Sequence, residues 1–383
     1  MALHFSKEEF GDRRNRAIQS LQDRGLDGLL MFRQESMYYL TGYDTFGYVF
    51  FQCLYLHADG RFVLLTRAPD LRQAKHTSII EDIRIWVDGD NVNPALQLKE
   101  ILKEFDCRNK RLGVEYDAYG LTAKNGKLLD EALHEFCVLE DASDLLNRLR
   151  VIKSPAEMVY VRKAAELADL ALDEAHRLAQ PGADEGDILA AMQGVIFSGG
   201  GDYPGNEFII GSGEDALLCR YKAGRRKLDA RDQLTLEWAG AYRHYHAAMM
   251  RTIPIGQATS EHSRMHEIAL DAMQTCMEKL RPGTAIGEVF DAYARTCDDA
   301  GMREHRLNAT GYSLGTTFSP NWMDWPMFYH GCPVVALPNM VFFLHMILMD
   351  SVSGQAICFG HTVGVTESGC ESLSHRSLDL VVK

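Results

Sequence analysis

Residues 234–256 read LTLEWAGAYRHYHAAMMRTIPIG, a strand–turn–strand hairpin that holds a single carboxylate, Glu237, together with His244, His246 and Arg251. A carboxylate in a strand as apolar as LTLEWAG needs a partner, because burial disfavours its charged form. If desolvated, its pKa rises until it can act as acid, base or nucleophile near neutral pH. Pairing with Arg251 or Arg220 is the structural alternative. His244 and His246 alternate along the strand and so are expected on one face, with Tyr245 on the other.

The 383 residues are 46% apolar, more than one compact domain usually holds, so two domains are expected. The net charge of −13 repels polyanions and anionic membrane surfaces, which argues against nucleic-acid and membrane partners. The N-terminus MALHFSKEEFGDRRNR has no apolar core of a signal peptide, and no stretch reaches transmembrane length, so a cytoplasmic protein is expected. Nine cysteines are dispersed without a CxxC pair, mostly in apolar strings, and read as reduced core residues.

In the first 150 residues, a helix over 6–25 precedes the strand DGLLMF and a turn. Two strands around Asp59-Gly60, a helix near 69–76, the strand IRIWV, a helix over 94–106 and the strand RLGVEY follow. This alternation predicts an α/β domain with a largely parallel sheet. Ser154 and Pro155 then cap and open a long helix, which sets the boundary between domains 1–150 and 151–383. The second domain begins with helices and ends in clustered strands, an α+β pattern. Its loop SGGGDYPGN lacks the spacing of a phosphate loop and precedes a strand, so it reads as a tight turn.

The segments RVIKSPAEMVYVRKAAELADLAL, PGADEGDILAAM, LTLEWAGAYRHYHAAMMRTIPIG, RPGTAIGEVFDAYA, TGYSLG, PNMVFFLH and TVGVTESGCESLS resemble the creatinase, prolidase and methionine aminopeptidase group. YYLTGYD near the start is similar to the N-terminal domain of its prolidase and creatinase branch. The resemblance implies a creatinase/prolidase-type α/β N-terminal domain, an α+β pita-bread C-terminal domain, and a homodimer.

Peptidases of this group hold two metal ions with two Asp, one His and two Glu. By resemblance those positions fall on Glu237, Ala248, Tyr312, His345 and Gly360, so none is retained in kind and a dinuclear centre is not expected. GGGDYP, EWAGAYRHYH and GYSLGTTFSPNW look most like ectoine hydrolase, and creatinase also works on this fold without metal. The catalytic histidine of creatinase and prolidases, in the segment ALLCRYKAG, is matched by Arg220.

Hydrolysis of a C–N bond in a small zwitterionic compound is therefore expected, without a metal. Glu237, His246, Tyr312, His345 and His361 are the expected catalytic residues. His345 and His361 would shuttle a proton or bind a carboxylate, and Tyr312 would donate to an oxyanion. Arg220, Arg251, Asp202, Tyr203, Glu207 and the aromatic loop with Trp322, Trp325 and Tyr329 would hold the substrate. A single metal at Glu237, His345 and His361 is a lesser alternative. An Xaa-Pro dipeptidase and a catalytically inactive binding protein are the competing functions.

Overall fold

A computed structural model describes residues 3–220 and 226–383. The chain forms two compact units, Met1–Arg150 and Val151–Lys383.

The first unit runs α1 (Lys7–Asp23), β1 (Gly28–Met31), α2 (Gln34–Thr41), β2 (Cys53–His57), β3 (Phe62–Arg67), α3 (Asp70–Thr77), β4 (Ile83–Trp86), α4 (Pro94–Glu104), β5 (Arg111–Val114), α5 (Ala123–Leu133), β6 (Val138–Asp141) and α6 (Leu145–Arg150). Its sheet has the order β4-β3-β2-β1-β5-β6. The expected largely parallel sheet is mixed: β2 runs antiparallel to both neighbours, and the other three pairings are parallel. Alternate residues enter two cores, Leu30, Tyr55 and Leu65 with α4 and α5 on one face, Leu29, Leu54 and Leu64 with α1 and α2 on the other. The turn expected after β1 is instead the helix α2, almost wholly buried.

The second unit opens with α7 (Pro155–Leu178) and α8 (Glu185–Ser198). The Ser154 hydroxyl accepts from the Glu157 N–H, and the Glu157 carboxylate accepts from the Ser154 N–H. Then come β7 (Ile209–Ser212), β8 (Asp232–Tyr242), β9 (Tyr245–Ile255), α9 (Ser260–Lys279), α10 (Ile286–Asp299), β10 (Gly311–Ser313), β11 (Asp324–Met327), β12 (Val341–Asp350), β13 (Gln355–Val365) and β14 (Cys370–Ser372). The antiparallel sheet is ordered β11-β10-β12-β13-β9-β8-β7, with β14 added to β13.

The hairpin β8–β9 closes through Arg243 and His244, both at positive φ (52° and 63°), the two-residue geometry that matches strand twist. His244 is thus a turn residue, not a strand residue sharing a face with His246. Its ring stacks on Phe318 at 4.2 Å, and its N–H donates to the Asp202 carboxylate at 3.2 Å.

One face of the sheet is covered by helices. Trp238 donates its indole N–H to the Ala168 carbonyl of α7 at 3.0 Å. Two residues on, Gly240 lets α7 press against β8: a Cβ there would stand 2.0 Å from the Ala164 carbonyl. Phe342, Leu344, Met346 and Leu348 of β12 pack with Met265, Ala269 and Ala272 of α9 in the main core. Residues of opposite parity, among them Glu237, Met250, Gly360 and His345, face away from those helices.

Among the described residues no helix is long and apolar enough to cross a membrane. All nine cysteines are free thiols, six of them buried.

Candidate active site

The strand register aligns Glu237 on β8 with Met250 on β9, Met250 with Gly360 on β13, and Gly360 with His345 on β12. Opposed residues of an antiparallel sheet share a face, so these four positions form one row. Tyr312 on β10 stands opposite Phe343, two residues from His345, and joins the same face.

β8 and β10 are four strand spacings apart, about 19 Å along a flat sheet. The Tyr312 hydroxyl nevertheless donates to Glu237 Oε1 at 3.2 Å. The two side chains cannot span a flat sheet, so the sheet curls and the row lies on its concave side. The indole N–H of buried Trp322 donates to the Tyr312 oxygen at 2.9 Å.

Glu237 retains some surface exposure, yet its carboxyl is surrounded by protein, and that desolvation raises its pKa to about 7. The Tyr312 hydrogen bond and the charge of Arg220 pull the other way without prevailing. Burial, and then the neighbouring Glu237 carboxylate, push the Tyr312 phenol well above its ordinary value. His345, 6% exposed, is held near pKa 4 by burial, and among the described residues its Nδ1 has no hydrogen-bond partner. Its ring lies 5.9 Å from that of Tyr312 and 5.5 Å from that of Phe343. Arg220 is exposed, and its charge acts on Glu237, Tyr312 and His345 alike. Residues 221–224 of the segment ALLCRYKAG lie outside the described residues.

The structure thus gathers Glu237, Tyr312, His345 and Trp322, within reach of the Arg220 charge. It separates His361 and Arg251 from them. Each is one residue out of phase with the row, and the two meet on the helix-covered face, where Arg251 Nη2 contacts His361 Nε2. Arg251 also donates to the carbonyls of Met250 and Gly360, and His361 Nδ1 bonds the Ser372 hydroxyl at 3.0 Å. Burial lowers Arg251 to about 10, and burial beside that guanidinium drives His361 well below the usual imidazole range. A proton shuttle between His345 and His361, a Glu237–Arg251 ion pair, and a metal held by Glu237, His345 and His361 are all ruled out by this opposite facing. Among the described residues no three His, Cys, Asp or Glu side chains are grouped to hold a metal ion.

His246 shares the concave face, but both its ring nitrogens are engaged. Nε2 accepts from the Gly205 N–H at 2.8 Å, which leaves the proton on Nδ1, 3.0 Å from the Thr317 hydroxyl. It ties the Gly-rich loop to the sheet. Asp202 fixes the hairpin turn, Tyr203 is 81% exposed against Phe197, and Glu207 is exposed. The expected aromatic wall divides: Trp322 reaches the site, Trp325 packs against the helix-side core, and Tyr329 is half-exposed.

Sequence reasoning missed Phe343 and Cys219. A Cβ on Gly360 would stand 2.5 Å from the Phe343 ring, so that ring fills the space a side chain at 360 would take. Cys219, whose thiol lies 3.6 Å from the Met349 sulfur, feels the Glu237 carboxylate. A cleft of about 560 Å³ bounded by Gln233, Thr259, His262 and Gln355 shares no residue with this site.

Residues 159–367 match metallopeptidase family M24, and residues 13–152 match the creatinase/prolidase N-terminal domain. The ectoine hydrolase of Halomonas elongata is 27% identical over all of this chain and 99% of its own. An Xaa-Pro dipeptidase of Pyrococcus horikoshii is 21% identical over 95% of this chain and 97% of its own. The Xaa-Pro dipeptidase structure from Bacillus anthracis superposes with a TM-score of 0.85 at 19% identity, covering 98% of this chain and all of that one. The chain belongs to metallopeptidase family M24, a family of hydrolases that act on C–N bonds, and has the creatinase/prolidase N-terminal domain ahead of its pita-bread domain.

Proposed function

We propose that this protein hydrolyses a C–N bond in a small zwitterionic compound, with Glu237 as the reacting base and no dinuclear metal centre. The observation that carries the reading is the place of Glu237 as the one carboxylate of the concave row, hydrogen-bonded by Tyr312; desolvation there raises its pKa to about 7. A dinuclear site does not fit the residues present. Ala248 and Gly360 offer no donor, Tyr312 keeps its proton, and the Phe343 ring occupies the space beside Gly360.

Ionised Glu237 takes a proton from water as the water oxygen bonds to the substrate carbon. It returns that proton to the leaving nitrogen as the C–N bond breaks. His345, neutral at pH 7, offers its Nδ1, unpartnered among the described residues, to a polar group of the substrate. Arg220 attracts the carboxylate of the zwitterion. The likeness to an ectoine hydrolase over the full chain supports this substrate class.

An Xaa-Pro dipeptidase activity is the second reading, favoured by near-complete coverage of the Pyrococcus relative. A thermal-shift screen of ectoine, creatine, N-acylated diamino acids, betaines and Xaa-Pro dipeptides separates the two, run with and without chelator and followed by product analysis and metal content. Stabilisation and turnover of a non-peptide compound in chelator support the proposal. Two tightly held divalent ions per chain, with peptidase activity that chelation abolishes, refute it.

A further inference from the structure

We infer that Trp322 is a positioning residue that sets the direction of a hydrogen-bond chain running Trp322 to Tyr312 to Glu237. The inference rests on Glu237 being the base. An indole N–H only donates, and a phenol has one proton to give. With Trp322 donating to the Tyr312 oxygen at 2.9 Å, the phenol proton must point elsewhere, and Glu237 Oε1 at 3.2 Å receives it. Trp322 is 1% exposed and Tyr312 4%, so no water competes freely for either group.

The direction has a chemical consequence. While Glu237 is ionised, Tyr312 is committed to the carboxylate and is not a donor to the bound substrate. Once Glu237 has taken a proton from water, its new O–H can donate to the remaining lone pair of the Tyr312 oxygen. The phenol proton then turns toward the reacting centre, where negative charge has just formed. Trp322 holds the oxygen in place through both states, and no proton leaves the phenol.

The indole N–H resonances of the four tryptophans, assigned by substituting each in turn, report the chain without any substrate. Tyr312→Phe and Glu237→Gln should each displace the Trp322 resonance and leave the other three in place. A Trp322 resonance unmoved by either substitution overturns the inference. With whichever compound is turned over, Trp322→Phe should lower kcat between about tenfold and a hundredfold with KM nearly unchanged. Trp322→His, which keeps a ring N–H, should recover part of that loss. A rise in KM at constant kcat would make Trp322 a substrate contact and overturn the inference. If no compound is turned over, the proposed hydrolysis fails while the resonances still decide the chain.

Discussion

Tyr312 and Glu237, 75 residues and four strands apart, are joined by one hydrogen bond across the concave side of a curled sheet. A phenol donating to a carboxylate favours the ionised form, while the surrounding protein favours the neutral one. The balance leaves Glu237 titrating near neutral pH.

If Glu237 works as a base, kcat/KM should rise as pH increases through about 7. Tyr312→Phe removes a hydrogen bond to the charged form, so this limb should move to higher pH. Glu237→Gln should cost roughly 10²- to 10⁴-fold in rate and abolish the limb. A pH–rate profile of the three proteins checks it; a limb that moves downward in Tyr312→Phe would contradict the assignment.

Gly360 is intolerant of a side chain for a local reason. An added Cβ would meet the Phe343 ring at 2.5 Å and the Leu344 carbonyl at 2.7 Å. Gly360→Ala should therefore destabilise by about 1–3 kcal/mol through overpacking. Phe343→Ala in the same chain should recover part of this, since the ring can be removed and the backbone carbonyl cannot. Urea unfolding of the two single variants and the double variant gives the coupling energy.

The hairpin, the long capped helix α7 and the position of Glu237 were legible because each rests on a local signal: apolar strands, a Ser-Pro start, one acid among apolar residues. In the candidate site, what failed depended on parity or on curvature. His361 looked equivalent to His345 in the chain, yet one residue of phase sends it to the helix face beside Arg251. Curvature is what brings Glu237 to Tyr312, and no pattern in SPNWMDWPMFYHG separates Trp322 from Trp325. In the first unit α2 was missed because seven of its eight residues are buried, so no amphipathic period exists to read. The edge strand β6, VLED, has no fully buried residue and lacks the apolar run of its neighbours.

His246 should matter to stability more than to chemistry. Both its ring nitrogens are bonded and its side chain is wholly buried. His246→Ala leaves the Gly205 N–H unpaired and opens a cavity, a combined cost of roughly 3 kcal/mol. Equilibrium unfolding should show that loss, with turnover per folded molecule largely kept. A rate loss on the scale of Glu237→Gln, at unchanged stability, would make His246 a reacting group instead.

Buried imidazoles give the fold an acid-side weakness. Burial lowers His246 and His345 to about 4 and His361 well below its ordinary value. Below about 6.5 the unfolded chain binds protons at these positions that the native state refuses, so stability falls with pH. For His246 or His345 the loss between pH 6.5 and 4 approaches roughly 3 kcal/mol. Glu237 acts in the opposite sense: its native pKa is raised, so its contribution is fully present below the unfolded value and is lost as pH rises through about 7. His345→Phe removes one acid-side group at similar volume, so its melting temperature should drop less than the wild type's between pH 7 and 5. An equal or larger drop would mean that His345 takes up its proton in the folded protein as readily as in the unfolded chain.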